Sequence, residues 1–300
     1  MIERVVKQSI PFDQKSKILI FGGGFTGQHI AAIGRKLGAT VLCSRRKIQS
    51  NGADFEYDSI RKSLHPKNIL NEVTHIISCI PPLSDGADPV LKNLKKEIQQ
   101  MPLEWVGYLS TTGVYGDCKG DWVTEHDRPK PKQLRSIRRF ACEQAWQTTG
   151  LPLQILRLPG IYGPGRSTLD SYKSKWIKAV DKPGQVFSRI HIDDIAGAVF
   201  HLIHSYSQGK SPEIINIADN LPASNIEVLQ YSAQLLGREM PPIESFDIAS
   251  KNMTDMALSF WKENRRVSNK MLCEDIGYSL IHPDYKSGLK DCYSFFEENK

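Results

Sequence analysis

The 300-residue chain predicts a doubly wound α/β fold on a parallel sheet, with a smaller C-terminal substrate lobe. Two observations carry this. From Lys17 to Leu158, short apolar, β-branched runs alternate with longer segments of helical period, the order of a parallel sheet covered on both faces. In addition, a glycine-rich turn, Gly22-Gly23-Gly24-Phe25-Thr26-Gly27, separates the first strand from the first helix.

The elements follow in order. Lys17–Phe21 (KILIF) is a buried strand. Thr26–Leu37 is a helix with Ile30, Ile33 and Leu37 on one face, and Gly38 ends it. Thr40–Ser44 and His75–Cys79 are strands, the second stopped by Pro81-Pro82. Pro89–Gln100 is a helix with the stripe Val90, Leu91, Leu94, Ile98. Trp105–Leu109, Leu134–Gln147 and Leu153–Leu158 follow as strand, helix and strand. After Gly160 turn residues thicken (Gly163, Pro164, Gly165) and elements shorten: a helix over Ile195–Ile203, a strand over Ile214–Ala218, a helix over Asn225–Leu236, then a polar, mixed stretch over Pro241–Lys270.

Composition narrows the function classes. Hydrophobic residues are 40% and charged residues 24%, ordinary for a soluble globular protein. No apolar run approaches the ~20 residues of a membrane helix, and the segment before Lys17 lacks the apolar core of a signal peptide, so a cytoplasmic protein is expected. Six scattered cysteines form no C-x-x-C pair or zinc spacing, which predicts free thiols. The net charge of +6 sits in short clusters (Arg45-Arg46-Lys47, Arg135 with Arg138-Arg139, Arg265-Arg266) without interleaved aromatics. A phosphate-rich cofactor and an anionic substrate account for it as well as nucleic acid would, and no nucleic-acid motif is present.

The glycine turn satisfies G-x-G-x-x-G in the strand–turn–helix context the motif requires. Gly22 permits the tight turn, Gly24 lets the backbone approach a pyrophosphate, and Gly27 lets helix and strand pack. The N–H groups of the helix start, at Phe25 and Thr26, face the phosphates. This defines residues 1–160 as a Rossmann dinucleotide-binding domain and residues 161–300 as the smaller lobe, with a stretch of about 189–220 returning to the sheet. At the end of the second strand a NAD-preferring protein places an acid for the ribose 2′-OH. Here the sequence runs Cys43-Ser44-Arg45-Arg46-Lys47. A guanidinium suits a 2′-phosphate through two parallel donors, so NADP(H) rather than NAD is expected, held by Ser44, Arg45 and Arg46.

Further segments carry a resemblance: Leu109-Ser110-Thr111-Thr112-Gly113-Val114-Tyr115-Gly116-Asp117, then Arg157 to Gly165, His191-Ile192-Asp193-Asp194, and Ile215 to Asp219. With the glycine turn they make the chain resemble the extended short-chain dehydrogenase/reductases, the superfamily of nucleotide-sugar epimerases and dehydratases. It resembles most an atypical group that keeps the cofactor motif and loses catalytic residues. The ending Arg266 to Lys270 with Gly277-Tyr278 fits that group too.

The resemblance implies roles. The loop with Cys79 and Pro81 would lie along the adenosine ribose and phosphates, and Pro159 and Ile161 would flank the nicotinamide. Thr111 stands at the Ser/Thr position that hydrogen-bonds the substrate oxygen. The superfamily's Tyr passes the hydroxyl proton, and its Lys lowers the Tyr pKa and holds the ribose. With Glu143 aligned on the glutamate that follows this pair, Arg135 stands where Tyr should be and Arg139 where Lys should be. Arg139 can hold a ribose, but Arg135 cannot act as acid or base, because guanidinium does not deprotonate in proteins. The dehydratase acid pair after Thr111 is replaced by Thr112 and Gly113.

Two functions follow. One is an NADP(H)-dependent oxidoreductase or epimerase acting on a nucleotide sugar or similar hydroxyl or carbonyl compound, with Tyr115, Tyr162 or a substrate-bound water as acid/base. The other is a non-catalytic NADP(H)-binding regulatory or scaffold protein. The helices near Pro89 and Leu134 are where relatives pair into homodimers. His201 and His204 lack a third ligand, so no metal site is expected. Asp193 is expected to cap the helix after it. His191 faces the cofactor cleft or only packs, and Arg166 binds a substrate phosphate or is an exposed loop arginine.

Overall fold

The computed structural model describes residues 2–13, 15–50, 52–172 and 177–298. Its strands are β1 (Lys17–Phe21), β2 (Thr40–Arg45), β3 (Phe55–Asp58), β4 (Ser63–His65), β5 (His75–Ser78), β6 (Trp105–Thr111), β7 (Trp122–Val123), β8 (Leu153–Leu158), β9 (Gly160–Tyr162), β10 (Ala179–Asp181), β11 (Arg189–His191), β12 (Ile214–Asn216), β13 (Ile243–Ser245) and β14 (Arg266–Val267). The helices are α1 (Ile2–Gln8), α2 (Phe25–Lys36), α3 (Leu91–Gln99), α4 (Leu134–Gln147), α5 (Thr168–Ser171), α6 (Ile192–Ser207), α7 (Asn225–Leu236), α8 (Phe246–Ala249), α9 (Asp255–Trp261) and α10 (Tyr285–Glu298).

Eight strands form one sheet in the order β12-β8-β6-β5-β1-β2-β3-β4. All neighbours are parallel except β3 and β4. A parallel sheet needs cover on both faces, and the sequence of β1 supplies it: Ile18, Leu19, Ile20 and Phe21 are all fully buried. On one face α2 and α6 pack Ile30, Ile33, Val199 and Leu202 onto the sheet. On the other α3 and α4 bring Leu94, Ile98, Cys142 and Trp146. The strand order reverses at β1, which has β5 on one side and β2 on the other. Open α/β sheets hold ligands at that reversal, outside the carboxyl ends of the strands, and the glycine turn opens there.

Ile214–Asn216 joins the sheet edge beside β8, so chain returns from the second half as its apolar run implies. The lobe packs α5, α7 and α10 around Leu169, Val228 and Leu289. Among the described residues no helix is long and apolar enough to cross a membrane. Several elements differ from the sequence reading. α6 runs from Ile192 to Ser207, longer than the expected 195–203, because Asp193 and Asp194 are buried in contacts instead of ending the pattern. The β3–β4 hairpin, α1 and α10 are present where no element was expected.

Candidate cofactor and substrate site

The glycines of the turn differ in their surroundings. Gly22 has φ +106°, a region L side chains rarely adopt. A Cβ on Gly27 would lie 2.2 Å from the Gly22 carbonyl oxygen, so helix and turn touch there. A Cβ on Gly24 would meet nothing within 4 Å; the turn is open on the side where a pyrophosphate would approach. Gly24 is the N-cap of α2 and supplies no side-chain acceptor, which leaves the N–H groups of the first turn without a capping partner.

The end of β2 corrects one expectation. Ser44 is 2% exposed, and its Oγ accepts the Gly22 N–H at 3.0 Å. Its carbonyl accepts the Gly23 N–H at 2.8 Å. Ser44 therefore fixes the glycine turn from below. Arg45 is half-buried with its Nε lacking a hydrogen-bond partner, and Arg46 is exposed. Cys79 packs its Cβ against Gly22 and donates its backbone N–H to Phe21.

At the carboxyl ends of β6 and β8 lies a cavity of about 840 Å³, which no residue of the glycine turn lines. Thr111, Arg135, Arg139, Pro81, Pro159 and Ile161 all line it. Thr111 Oγ accepts the Gly113 N–H at 3.1 Å, leaving its own proton to donate outward. Arg139 is pinned by the Ile80 carbonyl at 3.1 Å, the Tyr108 hydroxyl at 3.1 Å and the Leu109 carbonyl at 3.2 Å. That fixes a guanidinium at the carboxyl ends of β5 and β6. Arg135, one helical turn earlier, lies 3.6 Å over the ring of Phe260. Arg166 also lines the cavity and lies 5.4 Å over the Phe25 ring, at the start of α2. Arg138, Arg189 and Arg265 complete a set of cavity arginines. Among the described residues the cavity's one carboxylate is Glu263, with Oε2 held by Arg265 at 2.9 Å.

Tyr115 is not part of this surface. Its ring is 2% exposed and its hydroxyl donates to Asn216 Oδ1 at 2.8 Å. It stacks on Arg157, which forms a bidentate pair with Glu143 at 3.1 and 2.7 Å. Tyr115 belongs to a buried polar cluster behind the cavity, and burial pushes its hydroxyl pKa up. Tyr162 is likewise buried, with its hydroxyl on the Asp284 carbonyl. Neither can exchange a proton with a molecule in the cavity. His191 and Asp193 are fully buried away from it. His191 is itself the α6 N-cap and accepts the Asp193 N–H, so the capping role falls two residues earlier than expected. His201 bonds the Ile276 carbonyl and His204 bonds Gln208, both ordinary helix-face contacts.

Ser136, Arg189, Phe260 and Glu263 line the cavity without having been singled out, and Arg265 had been noted only as part of a basic cluster. Ser136 carried a usable signal, since it adjoins Arg135. Phe260 to Arg265 lie in the stretch that looked only polar and mixed.

Asp219 flanks the cavity's Arg189, whose carbonyl accepts its N–H at 2.8 Å. Its side chain is 1% exposed, with one oxygen unpartnered. Burial pushes the carboxyl up to about 8, opposed by Arg189 and reinforced by Asp284 and Asp194. The unfolded chain titrates near 3.8, so the fold prefers the neutral acid. That stabilisation is complete below about pH 3.8 and is lost as pH rises through 8. Asp219→Asn should therefore melt several degrees above the parent at pH 8 and level with it near pH 4. Thermal denaturation at the two pH values checks this; equal gaps at both would refute it.

The sheet order, glycine turn and cavity define a nucleotide-binding α/β protein of the dehydrogenase type. The sequence model of the NAD dependent epimerase/dehydratase family matches residues 90–218. The chain belongs to the NAD-dependent epimerase/dehydratase family. It is similar to the solved structure of a functionally unknown conserved protein from Silicibacter pomeroyi DSS, at 36% identity and TM-score 0.82, covering 94% of this chain and 99% of that one. It is 28% identical over 180 residues to Protein YeeZ of Escherichia coli (strain K12), a match spanning 59% of this chain and 58% of that protein's length. It shares the fold of UDP-glucuronic acid 4-epimerase from Bacillus cereus in complex with NAD, at 18% identity and TM-score 0.72, covering 94% of this chain and 99% of that one.

Proposed function

We propose that this chain is an NADP(H)-dependent oxidoreductase or epimerase whose substrate is an anionic hydroxyl or carbonyl compound, of the nucleotide-sugar class. The observation that carries the reading is the cavity. Thr111 and the guanidinium groups of Arg135 and Arg139 line one space. Arg138, Arg166, Arg189 and Arg265 add positive charge against a single carboxylate. Such a field selects a ligand with several negative charges and favours diphosphates through bidentate contacts. The fold-mate from Bacillus cereus, named for a nucleotide-sugar acid and bound to NAD, supports the class of both ligand and cofactor.

In this reading Gly22, Gly24, Phe25, Thr26 and Gly27 hold the pyrophosphate, Arg45 and Arg46 the 2′-phosphate, and Arg139 the nicotinamide ribose. The bound dinucleotide supplies a hydride donor or acceptor. Thr111 donates its hydroxyl proton to the substrate oxygen. Arg135 supplies positive charge where an oxyanion develops and leaves proton transfer to another group. Glu263 is the side chain in the cavity able to take that proton.

The fixed guanidinium at 135 also supports a second reading, in which the protein binds NADP(H) and reports it to a partner without turnover. Fluorescence titration with NADPH and NADH tests the shared part: NADPH should bind at least about tenfold tighter, near 1.4 kcal/mol. Following NADPH absorbance with UDP-sugars and 4-keto-sugars then separates the two. Steady conversion excludes the scaffold; binding of NADPH without conversion of any carbonyl compound favours it. Binding of neither cofactor would sink both readings.

A further inference from the structure

Away from the cavity, a cluster of imidazoles and carboxylates lies where α2, the start of α6 and the C-terminal segment meet. His282 Nε2 is 3.2 Å from Asp193 Oδ2, and His191 Nδ1 is 3.8 Å from the same oxygen. The two imidazole rings lie 4.0 Å apart. All three side chains are at most 2% exposed, and none of them lines the substrate cavity. We propose that His191, Asp193 and His282 bind one divalent transition-metal ion of the zinc, cobalt or nickel class, which fastens the C-terminal segment to the sheet domain.

Three features support the assignment. The first is spacing. Imidazole and carboxylate donors sit about 2.0–2.2 Å from zinc, so tetrahedral ligand atoms are about 3.4 Å apart. The separations of 3.2 and 3.8 Å bracket that value. Two imidazoles with a carboxylate are the donor set such ions take, whereas magnesium or calcium would want oxygens.

The second is the surrounding shell. Metal-binding groups are oriented by partners on their far side. His29 Nε2 lies 2.7 Å from Asp193 Oδ1, the oxygen turned away from His191 and His282. Asp291 Oδ2 lies 3.8 Å from His191 Nε2, the ring atom opposite Nδ1, and it is buried with no hydrogen-bond partner. A ring coordinating through Nδ1 turns its Nε2–H toward that carboxylate. His191 Nδ1 accepts the Asp193 N–H at 3.2 Å, a long bond that coordination would replace.

The third is charge. Among the described residues the ion pairs of Asp193 and Asp291 are all with histidines. A divalent ion would place positive charge beside these two buried carboxylates.

The test uses full-length protein made in zinc-supplemented medium and gel-filtered without chelator. Elemental analysis should find about one metal ion per chain. Protein refolded with Co²⁺ should show ligand-field absorption in the visible, and zinc should raise the melting temperature over protein refolded in EDTA. His282→Gln and Asp193→Asn should abolish all three signals. His201→Gln with His204→Gln, a pair on the surface of α6, should change none. If the first variants do not fold, the wild-type protein decides. Less than about a tenth of an equivalent of metal, no cobalt spectrum and no zinc-dependent melting would overturn the proposal. So would a signal that vanishes with His201 and His204.

Discussion

Glu143→Ala should destabilise the protein by roughly 3–5 kcal/mol, the range for removing one partner of a buried ion pair. Glu143 and Arg157 are each 1% exposed. Glu143 projects from α4 toward the sheet and takes two hydrogen bonds from Arg157 on β8, at 3.1 and 2.7 Å, with a third from the Ser110 hydroxyl on β6. Arg157 already has one nitrogen, Nη1, without a partner. Removing the carboxylate leaves the guanidinium inside the protein against the ring of Tyr115. Desolvation of that charge, not loss of the bonds themselves, sets the size of the effect. The double variant Glu143→Met, Arg157→Met should recover most of the loss, because the pair leaves together. Urea denaturation of the parent and the two variants measures this. A single-variant loss below about 1 kcal/mol would mean that water reaches the cluster.

That cluster marks where the sequence could and could not be read. The strands of the first half were legible because a parallel sheet buries both faces: β1 shows as KILIF and β8 as LQILRL, unbroken apolar runs apart from Arg157 and Gln154. The glycine turn was legible because it rests on local backbone geometry: Gly22 takes a positive φ, and a Cβ on Gly27 would meet the Gly22 carbonyl. The hairpin of β3 and β4 was missed because FEYD and SLH are short and half polar. α10 did carry a signal, Tyr285, Leu289, Cys292 and Phe296 at helical spacing, which the surrounding charged residues hid.

The site divides the same way. Arg135 and Arg139 reach one cavity because they stand four apart on one helix face. Tyr115 was misplaced because its environment is built from remote chain: Asn216 arrives 101 positions later to take its hydroxyl. Glu263 and Arg265 enter the cavity from a segment whose local composition says only that it is polar. Long-range packing put them there, and no periodicity records it.

Arg45→Glu should weaken NADPH binding roughly 10- to 100-fold, while NADH binding changes by no more than about twofold. The estimate comes from the ~1.5–3 kcal/mol of a hydrogen bond to a charged group. The position is well prepared for the role. Ser44, the preceding residue, is fixed by its bond to Gly22, so the backbone at the end of β2 is tied to the cofactor turn. Arg45 Nε is buried without a partner, as a donor awaiting an acceptor would be. No acid among Cys43-Ser44-Arg45-Arg46-Lys47 offers the ribose 2′-OH a hydrogen bond, which would favour NADH. Selectivity then resides in charge at this strand end, and reversing it should act on the phosphate alone. Arg45→Ala should fall between parent and Arg45→Glu, with Arg46 supplying the remainder. Higher salt should narrow the NADPH advantage of the parent, because exposed charges are screened within about 10 Å at 0.1 M. Parallel titrations of the three proteins with both cofactors decide the matter. Equal losses for NADPH and NADH would show that Arg45 supports the turn instead of reading the 2′-phosphate, and the cofactor preference would then have to come from elsewhere.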